Sequence, residues 1–94
     1  MNTGKKYKNG QKISEQNNGI LTYFFKSGKV KAHGPFVGGK MQGKWIFNRG
    51  SGELWQIGNF EDDKKHGEFL RYDKSGHLEY HAEFDRGKLV KKLI

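Results

Sequence analysis

Cysteine is absent from the 94 residues. That excludes disulfides, cysteine-based zinc sites and thiol chemistry, and nothing argues for an oxidising compartment. No run approaches the roughly 18 apolar residues of a membrane-spanning helix. Lys5 and Lys6 follow Met1 with no apolar stretch behind them, so no secretory signal is read and a cytoplasmic protein is expected. Proline occurs once, and Pro35 needs a strand position without a ladder hydrogen bond. No segment carries a helical period. Acid is scarce in one half: residues 1–47 hold nine lysines against Glu15 alone, whereas residues 48–94 hold nine basic and nine acidic residues. The whole net charge of +8 therefore lies in the first half. It fits an anionic partner, or a solvated surface whose lysines keep strand edges from pairing with other chains.

What is present is a repeat. Gly19, Gly43 and Gly67 are spaced by 24 residues, as are Gly28, Gly52 and Gly76, and Phe36, Phe60 and Phe84. Gly34, Gly58 and Ala82 keep the spacing. So do Val30, Leu54 and Leu78, and so do Leu21, Trp45 and Phe69, with Leu93 continuing that last set. A period of this length implies stacked supersecondary units. At 14% aromatic the chain is too rich for disorder, although a globular core would be thin at this size.

Aromatic and β-branched runs alternate with glycine turns, so strands are expected over 20–26, 29–37, 42–49, 53–61, 66–73, 77–85 and 88–93. Each repeat is one hairpin, in three units of 19–42, 43–66 and 67–94. Residues 1–18 read as a worn repeat, a frayed cap or flexible tail, with Gly4 matching Gly28 and Gly10 matching Gly34. Lys12 to Gln16 is able to pair as an edge strand. Closing each hairpin around Ser27-Gly28 and its equivalents sets Phe25 opposite Val30 and Leu21 opposite Gly34. It also sets Trp45 opposite Gly58 and Phe69 opposite Ala82. Gly19, Gly43 and Gly67 then face Phe36, Phe60 and Phe84. A large side chain over a small residue pins a register. One face then carries Leu21, Trp45, Phe47, Phe60, Phe69, Tyr80 and Phe84, joined by Val30, Leu54, Leu78 and Leu93. The expected fold class is all-β, a strongly twisted, single-layer antiparallel meander of stacked β-hairpins.

This pattern resembles the MORN-repeat variant family. The resemblance is carried by Ser27-Gly28 to Phe36, Ser51-Gly52 to Phe60 and Ser75-Gly76 to Phe84, and by Gly43-Lys44-Trp45 and Gly67-Glu68-Phe69. It covers roughly residues 19–94. The departures are Gly50 in place of Lys26 and Lys74, and Arg71 where Tyr23 and Phe47 stand. The resemblance implies an elongated sheet of hairpins without catalytic machinery, acting as an interaction module. Small bacterial members are often labelled antitoxins of toxin–antitoxin pairs, and eukaryotic ones were first linked to membranes.

The polar residues do not assemble into chemistry. His33 and His81 hold one repeat position two hairpins apart, roughly 19 Å by strand spacing, too far to share a metal. Glu61, Asp62 and Asp63 lack calcium-loop spacing and read as a polar turn. No helix follows any glycine cluster to cradle a phosphate. No enzyme, no cofactor and no metal site are expected.

The other sheet face should be polar, yet it is expected to carry Phe24, Ile46, Trp55, Ile57 and Tyr72 among Lys29, Lys31 and Lys44. Those eight residues are the expected partner-binding set, with the aromatics as anchors and the lysines steering an acidic partner. The expected function is a non-catalytic protein-interaction module, of the antitoxin or immunity type, whose partner is a toxin or an enzyme. A homo-oligomer is a further expectation, because no second layer covers the apolar face. The alternative is a basic surface adaptor for acidic membrane lipid or nucleic acid.

Overall fold

The computed structural model describes residues 5–94. Among them there is no helix, and the strands are β1 (Ser14–Asn17), β2 (Ile20–Phe24), β3 (Val30–Val37), β4 (Lys40–Met41), β5 (Gly43–Asn48), β6 (Leu54–Glu61), β7 (Lys64–Tyr72), β8 (Leu78–Asp85) and β9 (Lys88–Lys92). They form one antiparallel sheet in the order β1-β2-β3-β5-β6-β7-β8-β9, with β4 folded back on β3. The array measures 42 × 34 × 19 Å and is a single layer of hairpins.

The register follows the large-over-small pattern. Leu21 pairs with Gly34, Trp45 with Gly58 and Phe69 with Ala82. Gly43 pairs with Phe60 and Gly67 with Phe84, and Gly19 O accepts the Phe36 N–H at 2.8 Å. The ring that fills the space over each glycine, however, comes from the next hairpin. A methyl group on Gly34 would stand 2.4 Å from the Trp45 indole, and one on Gly58 would stand 2.3 Å from the Phe69 ring. Trp45 is held in that lean by its Nε1–H, which donates to Pro35 O at 2.8 Å. Leu21, Trp45, Phe69 and Ala82 are buried, with Ala32 beside them. Core and repeat-to-repeat coupling are therefore the same contacts. Around them the rings run edge to face, with Phe60–Phe69 and Phe69–Phe84 centroids each 5.3 Å apart.

The hairpin tips depart from expectation by one residue. Phe25 N–H donates to Lys29 O, Arg49 N–H to Glu53 O and Asp73 N–H to His77 O, so each loop holds three residues. The third loop residue is Gly28, Gly52 or Gly76, with φ of 93°, 98° and 89°, the left-handed position that closes such a loop. The extra residue is absorbed by a bulge on the return strand, where the register shifts between Tyr23/Phe24, Phe47/Asn48 and Arg71/Tyr72. Val30, Leu54 and Leu78 consequently pair with Phe24, Asn48 and Tyr72, on the face opposite the aromatic core. That corrects the face expected for those three residues.

Two further corrections concern the ends. Leu93 does not continue the buried column: Ala82 pairs with Lys92. Gly43 and Gly67 hold φ of 67° and 107° as their strands enter the ladder, and there the register shifts by two residues. Lys91 occupies the equivalent place on β9. A residue with a Cβ resists that conformation, the shift between Glu83 and Phe84 is one residue, and Leu93 stays 44% exposed. At the other end the expected match of Gly10 to Gly34 fails. Gly10 closes a turn, φ 90°, with its N–H on Tyr7 O at 2.9 Å, so it plays the part of Gly28 in a shortened unit. Tyr7 Oη donates to Phe24 O at 2.7 Å, Lys6 bridges Lys12, and β1 forms the expected edge pairing with β2. Gly4 lies outside the described residues.

Candidate functional site

In a β-bulge two successive residues face one on the partner strand. Lys31 and Ala32 thus oppose Tyr23, and Trp55 and Gln56 oppose Phe47. The bulges turn Lys31 and Trp55 onto the aromatic face, where they join Tyr23, Phe25, Ala32 and Phe47 around an open cleft of about 460 Å³, with Asn48 at its rim. This overturns the expectation that both lie on the other face. A cleft of this size admits one or two large side chains.

Its floor is Tyr23, Ala32 and Phe47, and their cross-strand row continues beyond the cleft through Gln56 and Arg71 to Tyr80. Arg71 stacks between Trp55, at 5.2 Å, and Tyr80, at 5.1 Å. It donates from Nε and Nη2 to Gln56 Oε1 at 3.3 and 3.0 Å, which fixes the guanidinium plane. Lys31 Nζ hangs 5.9 Å from the Phe25 centroid. The Asn48 amide donates to Val30 O at 3.2 Å, tying β5 to β3 at the rim.

The remaining expected residues lie elsewhere. Ile46 and Ile57 pair with each other on the opposite face, in the stripe His33–Ile46–Ile57–Leu70–His81, and all five are half-buried. Lys44 pairs with Asn59 on that face and is exposed. Phe24 and Tyr72 sit at hairpin tips there. Tyr72 lines a shallow depression with Leu54 and Lys74. Lys29 Nζ donates to Ser51 O at 3.0 Å, and Arg49 Nη2 to Tyr72 O at 2.8 Å, so each tip is laced to the next. The eight expected residues are therefore divided between two faces and one edge.

The sequence reading missed two features. Arg71 belongs to the aromatic face, and its departure from the Tyr23 and Phe47 column was the available signal. The turn edge holds a second cluster, in which His66 Nε2 lies 3.3 Å from Glu61 Oε1 and its Nδ1 accepts the Arg86 N–H at 3.1 Å. Asp62 and Asp63 act as turn residues. Asp63 Oδ1 accepts the Met41 N–H at 2.7 Å, and Asp62 Oδ1 accepts from Gln42 Nε2 at 2.6 Å. The Asp73 carboxyl is held below the usual range chiefly by the His77 N–H, with the Ser75 N–H assisting; both donate at 2.9 Å.

Fold and cleft together define a single-layer β-hairpin repeat protein with an aromatic recess on one face. The family described as MORN repeat variant matches residues 17–37 and 65–86, the first and third hairpins. The unmatched middle hairpin is built in the same register, with Trp45 and Trp55 as its own aromatics. Repeats of this family generally bind proteins or membrane lipids and are not catalytic. No curated protein and no solved structure matches the chain.

Proposed function

We propose that the chain is a non-catalytic module that binds a partner protein through the cleft between Trp55 and Lys31. The carrying observation is an open, aromatic-walled recess of about 460 Å³ on a sheet one layer thick. Half-buried aromatic rings that need no reordering make good anchors. In its narrower form the reading is an inhibitor of the antitoxin or immunity type, working in the cytoplasm. A small module of this kind acts by covering its target.

The test is retention of a protein from native cell extract at near-equal amount, with and without nuclease, by the wild-type chain and by Trp55→Ala and Ile57→Ser variants. Loss with Trp55→Ala alone supports the cleft. Loss with Ile57→Ser alone moves binding to the opposite face. Material that disappears with nuclease or with added salt moves the weight to the lysine-rich half and to an acidic lipid or nucleic acid.

A further inference from the structure

The cleft has a polarity of its own. Lys31 lines it on β3 beside Phe47 and Trp55, and Arg71, on β7, flanks it from outside by stacking on the Trp55 ring at 5.2 Å. Among the described residues, no carboxylate lies within 4.0 Å of either cation. Lys31 Nζ contacts only a ring, Phe25. Arg71 spends two donor nitrogens on Gln56, and a guanidinium carries five N–H groups.

The spacing of these groups matches an extended chain. From β3 to β7 the sheet makes three steps, through β5 and β6, or about 14 Å at about 4.8 Å per step. In an extended segment, residues i, i+2 and i+4 point to one side, and i to i+4 spans about 13 Å. A segment crossing the strands would set i over Lys31, i+2 into the recess and i+4 over Arg71.

Resting on the protein-binding reading above, we infer that the cleft recognises an extended peptide segment of the form acidic–x–apolar–x–acidic, with its carboxylates on Lys31 and Arg71 and its apolar side chain between Phe47 and Trp55. Glu79, the third bulge residue, opposes Arg71 and restrains this end of the site.

The test is fluorescence anisotropy of a labelled Gly-Asp-Ser-Phe-Ser-Asp-Gly peptide titrated with the full chain at physiological salt. The comparison probes are the Asp-to-Asn and Phe-to-Ser peptides and a labelled single-stranded oligothymidine. The parent peptide is expected to bind. Losing one charge-assisted contact should weaken it about tenfold, whether through the Asn peptide, Lys31→Glu or Arg71→Gln. Glu79→Gln should tighten it. Lys40→Glu, an exposed site on β4, should leave it unchanged, and circular dichroism should confirm that every variant is folded. Equal binding of the Asn peptide, equal weakening by Lys40→Glu, tighter binding of the oligonucleotide, or no peptide binding would each overturn the inference. A partner captured through Trp55 that shows no preference for acidic peptides would overturn it too, while leaving the protein-binding reading in place.

Discussion

Gly34→Ala separates two accounts of what stabilises the sheet. Glycine inside a strand ordinarily weakens it, and alanine there is expected to gain about 0.5–1 kcal/mol. The geometry reverses that sign. Gly34 has no left-handed backbone, so nothing strains the main chain. The new Cβ would lie 2.4 Å from Trp45 Cδ1 and Cγ and 2.5 Å from Cδ2, against 3.4–4 Å for ordinary contact. The indole must retreat by about 1 Å as a rigid plate, a displacement that overpacked cores resist at about 1–3 kcal/mol. The same movement stretches the 2.8 Å bond to Pro35 O beyond hydrogen-bonding distance, at about 1 kcal/mol. Together the loss is about 2–4 kcal/mol, a large share of the total stability of a small domain. Urea unfolding followed by tryptophan fluorescence and by circular dichroism reads it directly. A double-mutant cycle assigns the contact: Trp45→Leu should absorb most of the penalty, whereas Leu21→Ala, in the hairpin partner, should leave it intact. An unchanged or raised midpoint for Gly34→Ala, or rescue by Leu21→Ala, would refute the account of rings leaning across repeats. Gly58→Ala against Phe69 repeats the experiment at a second site, where the Cβ would meet Cε2 at 2.3 Å.

Other perturbations test other joints. Lys91→Gly should restore the two-residue shift and bring Leu93 over Ala82, visible as a nuclear Overhauser contact between them; burying the exposed leucine should add about 1 kcal/mol. Arg49→Ala removes the 2.8 Å bond to Tyr72 O and should cost about 1 kcal/mol in urea unfolding, whereas an exposed lysine such as Lys40 should cost almost nothing when changed to Ala. Because the Asp73 carboxyl is held below its ordinary value of 3.8, its contribution is fully present above that value and is lost as pH falls through the lower, folded value. Protection of the Ser75 and His77 amides against hydrogen exchange, measured relative to the intrinsic rate at each pH, should therefore fall in acid, while the Gly28 and Gly52 tips, which have no carboxylate at the Asp73 position, should not show this titration.

Much of the fold was legible because the repeat columns are physical. Trp45 facing Gly58 and Phe69 facing Ala82 admit one parity only, since a slip by one residue turns every side chain to the wrong face. The tips were not legible in the same way. Ser-Gly at a turn fits a two-residue loop as well as a three-residue loop with glycine third. The difference is one residue, and one residue was enough to exchange Val30 for Lys31 and Leu54 for Trp55 between faces. Lys91 was visible as a break in the glycine column. Its consequence depended on that column holding a left-handed backbone, which spacing alone does not reveal.

The residues that keep the period are consumed by packing. Gly34, Trp45, Gly58 and Phe69 lock each hairpin to the next, and Lys29 and Arg49 lace the tips with hydrogen bonds to Ser51 O and Tyr72 O. Such positions tolerate little chemical variety, because each neighbour depends on their size. Variety is confined to places where the repeat leaves a side chain free of its neighbours, and the bulge is one of these. It holds a cation at Lys31, an aromatic ring at Trp55 and a carboxylate at Glu79, three chemistries at one structural position along the same face. Arg71 replaces an aromatic residue beside them and is held flat between Trp55 and Tyr80. Departures from the repeat thus gather along one face, with Lys31 and Trp55 in the recess and Arg71 against the Trp55 ring, while the sheet around them stays regular. Recognition varies there without disturbing the contacts that keep the hairpins stacked, which is why the cleft, rather than the more regular apolar stripe of Ile46, Ile57 and Leu70, is the place to look for specificity.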